Sequence, residues 1–250
     1  MRPVERAGCL AYTLLPVYQR RVERAREIIR QGLSRCTPYV AFSTGKDSSA
    51  MLWLALQERA DLSARLLSSG ETRHLHTNLD AILLWWREHW PRLDLQEINI
   101  DRVWSDEWQD ATWTEQRKAG RGDIIRLLPD PERFDGVLLG LRDEESNARK
   151  MANRRGVIRR YSANRKDGLA SQWVICPLAA WTEQDVAACI TTYDIPLPEA
   201  YEAEGMSTRT TMRLTGDAVR QNAFIHLRMR DKARYNELLS RFPELQHWGG

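Results

Sequence analysis

The sequence predicts an α/β fold, with a mostly parallel sheet covered by helices on both faces and a helical extension at the C-terminal end. Three observations lead to this prediction. Short apolar segments such as Tyr39–Phe42 alternate along the chain with longer helical segments. The apolar segments are continuous, as is typical of parallel strands buried on both faces. From Pro198 onward the pattern is helical, so no further strand is expected there.

The predicted elements follow one another in a regular order. A helix is predicted over Val17–Leu33, with a basic exposed face and its end near Gly32. The predicted strands are Tyr39–Phe42, Ala64–Leu67, Leu95–Ile100, Asp135–Leu139 and Trp173–Cys176. The helices predicted after them are Asp47–Arg59, Asn78–Trp90, Ser105–Ala119 with Asp123–Leu128, a segment from Glu144, Glu183–Tyr193, Ala218–Met229 and Lys232–Arg241. Right-handed crossovers place every strand-to-helix loop at the carboxyl edge of the sheet, where such folds bind ligands.

These elements divide the chain into three parts: an N-terminal helical segment (1–36), an α/β domain (37–195) and a helical C-terminal extension packed on it (196–250). In the α/β domain, Thr182 is predicted to cap a helix, with Asp185 completing a capping box. A composition of 42% hydrophobic and 28% charged residues is that of an ordinary globular protein. No apolar run approaches the roughly 20 residues of a membrane span, and the first residues lack a secretory signal. We therefore expect cytoplasmic localisation and no membrane partner, while homo-oligomerisation stays open.

Cysteine and histidine positions predict no metal site. The chain has four scattered cysteines with no Cys-x-x-Cys pair among them: Cys9, Cys36, Cys176 and Cys189. Such scattered cysteines are expected to be reduced and packed. His74 and His76 lie two residues apart, but no third ligand accompanies them.

The chain has ten tryptophans, and three of them fall on one predicted helix: Trp85, Trp86 and Trp90. Trp86 and Trp90 lie on one face of that helix. Packing in the core is favoured for this face over a platform for base stacking.

The most informative segment is Ser43–Ser48 (STGKDS), between a predicted strand and a predicted helix. Gly45 lets the backbone approach an anion without a Cβ clash. The first turn of the helix offers unpaired N–H groups and the positive end of its dipole, and Lys46 adds a charge. The segment has neither the spacing of a Walker A loop nor that of a Gly-x-Gly-x-x-Gly turn. It therefore predicts a phosphate site of another kind.

Ser43–Ser48 resembles the Ser-Gly-Gly-Lys-Asp-Ser signature of the PP-loop ATP pyrophosphatases, with Thr44 in place of the first glycine. The resemblance implies a Rossmann-like adenine nucleotide alpha-hydrolase fold. It also implies an enzyme that binds ATP or a phosphoadenosine, since many members cleave ATP between the α- and β-phosphates to adenylate a substrate. The departure at Thr44 matters little if its φ is negative, and more if its φ is positive.

Two further segments resemble the phosphoadenosine phosphosulfate (PAPS) reductase-like branch of this superfamily. Gly140–Arg149 (GLRDEESNAR) resembles its Gly-Leu-Arg-x-x-Glu-Ser-x-x-Arg segment. Cys176–Val186 (CPLAAWTEQDV) resembles its Pro-Leu-x-x-Trp-Thr-x-x-Asp-Val segment. The three segments come in the family's order.

The resemblance implies a set of site residues, with ATP and Mg²⁺ as the expected cofactors. Lys46, Asp47 and Arg142 are the predicted catalytic residues, and Asp47 is also expected to help place Mg²⁺. Arg142 follows a strand end and can make forked bonds to a phosphate or sulfate. For Glu145, a helix-start charge and a pocket residue both stay open. The predicted nucleotide-binding residues are Ser43, Thr44, Gly45, Lys46, Asp47, Ser48, Gly140, Arg142, Glu145 and Arg149.

The stretch from Arg142 to Lys166 is strongly basic, with nine Lys or Arg residues. Three interpretations of it stay open: a solvated face, a disordered flap over an anionic substrate, or a contact with nucleic acid.

Missing cysteines separate the chain from some of these relatives. Sulfite-forming PAPS reductases carry a nucleophilic cysteine near the C-terminus, whereas no cysteine follows Cys189 here. Relatives from DNA phosphorothioation systems often bear a C-terminal cysteine cluster, where this chain reads Met206–Met212 without cysteine. No iron–sulfur cluster is therefore expected. Glu71 stands where the sulfate adenylyltransferase small subunit has an acidic segment, and its role stays open.

Three functions compete. The first is an ATP pyrophosphatase that adenylates an anionic acceptor, with the DNA backbone phosphate as the preferred acceptor, so that a sulfur donor can displace AMP. Such an enzyme needs a cysteine desulfurase or another sulfur donor as its partner. The second is a reductase or transferase that uses PAPS or APS, and the missing cysteine weighs against it. The third is a non-catalytic nucleotide-binding subunit of a larger complex.

Overall fold

The computed structural model describes residues 3–68, 73, 76, 78–99, 133–161, 171–201, 205–206, 225, 227–229 and 231–241. The predicted helices over Ser105–Ala119 and Asp123–Leu128 lie outside these residues, as do Glu71, His74 and most of Ala218–Met229. Within the described ranges, no helix is both long enough and apolar enough to cross a membrane.

Six strands form one sheet, and helices precede, connect and follow them. The strands are β1 (Pro38–Phe42), β2 (Ser63–Ser68), β3 (Asp94–Asn99), β4 (Gly136–Leu138), β5 (Ile158–Tyr161) and β6 (Gln172–Ile175). The α-helices are α1 (Pro3–Thr13), α2 (Pro16–Arg35), α3 (Lys46–Glu58), α4 (Leu79–His89), α5 (Asn147–Arg154), α6 (Glu183–Thr192) and α7 (Lys232–Arg241). The sheet order is β3-β2-β1-β4-β6-β5, and every neighbouring pair is parallel except β5 with β6. The predicted α/β fold with a mostly parallel sheet is therefore confirmed.

The order of the strands reverses at β1, which lies inside the sheet. β2 and β3 extend the sheet on one side of β1, and β4 and β6 extend it on the other. In open sheets of this kind, ligands bind outside the carboxyl ends of the two strands at the reversal. The carboxyl ends of β1 and β4 are therefore the expected place of a ligand site.

The edge strand β5 is absent from the prediction and lies within the basic stretch. Its residues Ile158 and Arg160 pair with Ile175 and Trp173 of β6. The strand contains two arginines between its apolar ends, so it has no continuous apolar run of the kind that marks the buried strands. A strand at a sheet edge is solvated and does not need such a run. Helix α1 is the other element that the sequence does not predict.

Trp86 of α4 packs in the core as predicted, and the half-buried Trp85 and Trp90 pack against the core from its edge. Trp86 is fully buried, and its ring lies 5.7 Å from Phe42 and 5.1 Å from Trp85. Trp53 of α3 lies 5.5 Å from Trp90 in an edge-to-face arrangement. These rings join α3 and α4 on one face of the sheet through large buried apolar surfaces.

A buried carboxylate ties the N-terminal helices to the α/β domain. Asp185 in α6 is fully buried, and its carboxylate accepts hydrogen bonds from Tyr12 at 3.0 Å and from Arg21 at 2.5 Å. The Asp185 carboxylate also accepts the backbone N–H of Thr182 at 2.6 Å, and Thr182 Oγ1 accepts the N–H of Asp185 at 3.4 Å. The predicted capping box is thus confirmed. The division into three parts stays a prediction.

All four cysteines are free thiols. Cys176 and Cys189 are buried, whereas Cys9 and Cys36 are half-buried. Burial raises the pKa of Cys189 to about 12, and burial together with Asp135 raises the pKa of Cys36 to about 11. These two thiols are therefore protonated near neutral pH, which suits packing rather than nucleophilic attack.

Candidate functional site

Two loops meet at the carboxyl edge of the sheet, above β1 and β4. One is the turn from β1 into α3, and the other follows β4 and contains Gly140. A Cβ atom on Gly140 would stand 2.9 Å from the carbonyl carbon and oxygen of Asp47 and 3.0 Å from the amide nitrogen of Ser48. The two backbones therefore touch, and this approach requires glycine at position 140. The first two predicted segments are thus brought together at the point where the strand order reverses.

The hydroxyl of Ser48 organises the turn between β1 and α3. Ser48 Oγ accepts the backbone N–H of Ser43 at 3.1 Å and donates to the carbonyl of Gly45 at 3.0 Å. The hydroxyl of Ser43 lies 3.0 Å from that of Ser48. Gly45 is the N-cap of α3 and has no side chain with which to cap the helix. A helix N-terminus of this kind attracts phosphate through its amides and its dipole.

Thr44 has a left-handed backbone, which is unusual for a β-branched residue. Its φ is +55°, and its side chain is fully buried. Thr44 Oγ1 donates to the carbonyl of Ser43 at 2.7 Å, which ties the side chain to the turn. Because the φ of Thr44 is positive, the replacement of the family's glycine by threonine matters. A non-glycine residue is sterically strained in this region.

Lys46, Asp47 and Arg142 form a compact ion-pair group beneath the two loops. Asp47 lies 3.6 Å from Lys46 Nζ through Oδ2 and 2.5 Å from Arg142 Nε through Oδ1. Arg142 also pairs with Glu144 through Nη1. Burial alone would lower the pKa of Arg142, but Asp47 and Glu144 outweigh burial and raise that pKa. The guanidinium therefore directs its Nε and Nη1 edges at carboxylates, so an incoming phosphate has to compete with them.

Glu145 lies in the 3₁₀ turn Asp143–Glu145 that precedes α5. Its carboxylate accepts the backbone N–H of Arg142 at 2.9 Å and pairs with Arg149. Burial would raise the pKa of Glu145, but the Arg142 N–H and the Arg149 guanidinium outweigh burial and hold the pKa below its ordinary value. Glu145 therefore makes the contacts of a helix-start carboxylate, and it links the loop to Arg149. Its predicted place in a nucleotide pocket stays a prediction.

The segment Cys176–Val186 supports the segment Gly140–Arg149. Among the described residues, no hydrogen bond links it to the β1–α3 turn. The backbone N–H of Asp143 donates to the carbonyl of Ala179 at 2.9 Å. Glu144 accepts the backbone N–H of Glu183 at 2.7 Å. Trp181 is buried and anchors the segment through its indole N–H, which donates to the carbonyl of Arg21 at 3.2 Å. The segment is therefore a buttress for the loop that carries Arg142.

Tyr201 is a site residue that the sequence analysis misses. Its hydroxyl accepts the backbone N–H of Lys46 at 3.2 Å, and its ring centroid lies 5.6 Å from Lys46 Nζ. Tyr201 belongs to the C-terminal extension and falls outside the three motif-like segments, so no spacing in the sequence marks it. Its contact with Lys46 spans 155 residues and arises only in the folded chain.

A second polar group at the same edge is also absent from the prediction. Glu97 of β3 accepts hydrogen bonds from Arg73 at 2.7 Å and from the hydroxyl of Ser68, the last residue of β2. Burial would raise the pKa of Glu97, but Arg73 and Ser68 outweigh burial and lower it. Charged residues thus line the carboxyl ends of β2 and β3 as well.

No metal centre is apparent in the part of the chain that the structure describes, because it brings no three His, Cys, Asp or Glu residues together in a metal-binding arrangement. His76 is buried in the loop after β2. At the β1–α3 turn, Asp47 supplies a carboxylate of the type that Mg²⁺ prefers. The turn therefore fits a phosphate group, with Asp47 as the residue that could meet its metal ion.

Comparison with known proteins gives one family and several related structures. Residues 37–208 match the family model of the phosphoadenosine phosphosulfate reductase domain. The chain is similar to the NH3-dependent NAD synthetase of Campylobacter jejuni in complex with nitrate, at 14% identity and a TM-score of 0.51, covering 93% of this chain and 96% of that one. This similarity shows a shared fold. Comparison with the curated proteins gives no match.

Two other solved structures are similar at lower TM-scores. The PAPS reductase of Candida auris in a phosphate complex matches at 14% identity and a TM-score of 0.45, covering 75% of this chain and 86% of that one. The U34-tRNA thiolase NcsA of Methanococcus maripaludis with its [4Fe-4S] cluster matches at 12% identity and a TM-score of 0.46, covering 92% of this chain and 80% of that one.

The predicted absence of an iron–sulfur cluster is corrected by the comparison with NcsA. That protein carries a [4Fe-4S] cluster. The prediction rested on the lack of cysteine in Met206–Met212. The prediction was wrong because the ligands of a cluster are brought together by folding. The lack of cysteine in one segment therefore does not show that other parts of the chain lack cluster ligands.

The family model covers more than half of the chain and contains all three motif-like segments. Its span also coincides with the six-stranded sheet and with the loops that meet at Gly140. Sequence, fold and site therefore lead to one conclusion: the chain belongs to the phosphoadenosine phosphosulfate reductase domain family, within the PP-loop superfamily of adenine nucleotide alpha-hydrolase fold.

Proposed function

We propose that the protein is an ATP pyrophosphatase that adenylates an anionic acceptor, in preparation for sulfur transfer. Family membership supports nucleotide-dependent sulfur or adenylyl chemistry. The observation that carries the proposal is the contact between Gly140 and the first turn of α3, which places Lys46 and Arg142 on either side of Asp47. A phosphate site and two buried cations are thereby combined in one crevice.

The proposed reaction forms one P–O bond and breaks another. An oxygen of the acceptor attacks the α-phosphorus of ATP, and the bond to the bridging oxygen of the β-phosphate breaks, so that its electron pair leaves with pyrophosphate. Negative charge then accumulates on the β-phosphate, where the amides of the β1–α3 turn and Lys46 would stabilise it. Arg142 would stabilise charge on the α-phosphate. Mg²⁺ bound with ATP would neutralise phosphate charge, with Asp47 as its protein ligand.

The ion pairs around Asp47 give this site a near-neutral resting state. Arg142 is 3% exposed and bonded to Asp47 and Glu144, so its charge is compensated without substrate. A buried cation without a partner would be unstable in this position. Phosphate oxygens would take over one or both carboxylate positions when the nucleotide binds, which would free Asp47 for Mg²⁺.

A DNA backbone phosphate is the acceptor that best suits the charge around the site. Helix α5 and the residue after it expose Lys150, Arg154 and Arg155. Both ends of α5 lie at the carboxyl edge, because Asp143 bonds to the segment after β6 and Val157 accepts the N–H of Cys176 at 2.8 Å. The exposed cations would therefore border the crevice and attract a polyanion.

The sulfur would come from a partner, such as a cysteine desulfurase or another sulfur donor. Cys176 and Cys189 are buried, and burial raises the pKa of both thiols. A sulfur nucleophile needs an accessible thiolate or persulfide, which these residues do not offer. The donor's sulfur would attack the adenylated phosphorus, and AMP would leave.

Incubation of the full chain with ATP and Mg²⁺, with and without DNA, tests the proposal through release of pyrophosphate and AMP. We expect both products, with more of each when DNA is present. Lys46→Ala should reduce the rate at least about a hundredfold, by analogy with the loss of one charge-stabilising donor. Lys232→Ala, which removes an exposed lysine of α7, is the matched control and should leave the rate unchanged.

A sulfonucleotide enzyme that uses PAPS or APS is the second candidate, because the family model is that of PAPS reductase. The absence of cysteine after Cys189 disfavours the sulfite-forming reaction. Tight binding of PAPS without pyrophosphate release from ATP under any condition would select this candidate and overturn the first.

A further inference from the structure

Tyr201 engages Lys46 through both its hydroxyl and its ring. The hydroxyl accepts the backbone N–H of Lys46 at 3.2 Å, in a buried position. The ring centroid lies 5.6 Å from the Lys46 ammonium, within the range of a cation–π interaction. One side chain of the C-terminal extension therefore contacts two groups of Lys46 that are suited to bind phosphate.

The Lys46 N–H belongs to the first turn of α3, where backbone donors lack an intrahelical acceptor. In a phosphate site such donors point at phosphate oxygens. The phenol oxygen of Tyr201 is a neutral acceptor for this donor, so a phosphate oxygen that used the same N–H would have to replace it. Because an ionised acceptor makes a stronger hydrogen bond than a neutral one, the replacement is favourable.

The backbone around Tyr201 is held in place on the α/β domain. The N–H of Tyr201 donates to the carbonyl of Pro198 at 3.0 Å. The carbonyl of Leu197 accepts a hydrogen bond from the Asn78 side chain at 2.9 Å, and Ile195 is buried in the main core. The phenol is therefore presented to Lys46 by an anchored turn, so release of the N–H is a movement of the Tyr201 side chain and not of its backbone.

We propose that Tyr201 is a positioning residue that gates the phosphate site: its hydroxyl occupies the Lys46 N–H until a phosphate oxygen displaces it, while its ring holds the Lys46 ammonium beside the loop. The proposal rests on the phosphate site of the proposed function. It adds that the Tyr201 hydroxyl competes with phosphate for the Lys46 N–H. No covalent step is involved, and the exchange is one acceptor for another at the same donor.

Titration calorimetry of the full chain with inorganic pyrophosphate tests the gate. Tyr201→Phe keeps the ring and removes the competing oxygen, so we expect pyrophosphate to bind about two- to tenfold more tightly, the range set by one net hydrogen bond. Tyr201→Leu also removes the ring, and should bind more weakly than Tyr201→Phe. Tyr18→Phe, at a buried tyrosine of α2, is the matched control and should bind as the unsubstituted chain does.

The outcomes separate the gate from the phosphate site itself. If the unsubstituted chain binds pyrophosphate and Lys46→Ala abolishes binding, but Tyr201→Phe binds equally or more weakly, the gate is wrong and the phosphate site stands. If no chain binds pyrophosphate, both proposals fail. The resonance of the Lys46 amide in the 15N-labelled unsubstituted chain gives a second measurement that needs no variant. Exchange of the neutral phenol for a phosphate oxygen should move this resonance downfield when pyrophosphate binds, because the ionised acceptor makes the stronger hydrogen bond. An unmoved resonance at saturating pyrophosphate would overturn the gate.

Discussion

At Thr44 the chain places a β-branched residue where the family signature has glycine, and the backbone there is left-handed, with a φ of +55°. A β-carbon crowds the following carbonyl in this region. The side chain compensates in part through its hydrogen bond to the carbonyl of Ser43. The strained residue lies within the turn that is predicted to bind phosphate, and strained backbone often occurs at functional sites.

The strain at Thr44 predicts a difference between two substitutions. Both Thr44→Gly and Thr44→Ala lose the hydroxyl, but only Thr44→Gly loses the β-carbon. We therefore expect Thr44→Gly to be more stable than Thr44→Ala by about 1 kcal/mol, measured by urea unfolding. Equal stability of the two variants, or a more stable Thr44→Ala, would show that the left-handed conformation is not maintained in solution.

Arg142 lies in the loop after the strand where the sequence predicts it, but its ion-pair partners are not predicted. The sequence predicts its position at the strand end and its place in the site. It does not reveal that the guanidinium pairs with Asp47 and Glu144, because these partners depend on the approach of two loops. The phosphate-binding role of Arg142 therefore stays a prediction. It requires that phosphate oxygens replace Asp47 or Glu144 as partners of the guanidinium.

At the scale of elements, the site depends on how closely the loop after β4 approaches the first turn of α3. Gly140 permits backbone contact with Asp47 and Ser48 at distances that a β-carbon would violate. The parallel pairing of β1 with β4 brings both loops to the same edge. The loop after β4 is in turn held by α6 and by the segment before it, through Ala179 and Glu183.

This close approach predicts that Gly140→Ala separates the two loops. The added methyl group meets backbone atoms that cannot rotate away, so we expect a loss of about 1–3 kcal/mol in unfolding free energy. Gly140→Ala should also weaken the binding of pyrophosphate, measured by calorimetry.

Gly8→Ala is the matched control for this substitution. A Cβ at Gly8 meets nothing within 4 Å, and the residue lies in α1. Its substitution should leave stability unchanged or raise it by up to about 1 kcal/mol, because alanine is the better helix former. A similar fall in stability in both variants would contradict the importance of the loop contact.

At the scale of the whole molecule, charge is distributed unevenly around the crevice. The net charge of the chain is only +3. The described residues 147–161 nevertheless contain six arginines or lysines and no acidic residue. Four of these cations are exposed, three of them on α5 or directly after it and the fourth, Arg160, on β5. We therefore expect the exposed cations around α5 to attract anions, which the average composition does not indicate.

The exposed cations predict salt-dependent binding of DNA. Replacing Lys150, Arg154 and Arg155 together by alanine should weaken DNA binding. It should also reduce the slope of log K against log salt by roughly 0.9 for each DNA phosphate that the variant no longer neutralises. Fluorescence anisotropy at several salt concentrations measures both. Pyrophosphate affinity should stay unchanged, because none of these residues reaches the β1–α3 turn through a described bond.

The paired substitution Arg20→Ala and Arg24→Ala is the control for this experiment. Both arginines are exposed on α2, so they change the net charge without changing the α5 region. Equal weakening by the two sets of substitutions would mean that DNA responds to overall charge alone. That result would remove the reason for placing the DNA acceptor beside α5.

The sequence by itself determined the fold class, the buried strands and the position of the turn between β1 and α3, because these depend on local patterns. A buried strand needs a continuous apolar run, and a phosphate turn needs glycine, lysine and hydroxyls in adjacent positions. The edge strand β5 has no such run, because its two central residues are arginines. Helix α1 is not predicted as a separate element.

Only the tertiary structure decided which groups face one another at the site. It brought Gly140 onto the backbone of Asp47, gave Arg142 two carboxylate partners and set Tyr201 against Lys46. It also gave Thr44 a positive φ, which no residue type reveals in advance. These contacts join segments up to 155 residues apart, so they are fixed by the register of the sheet and the packing on it rather than by local sequence.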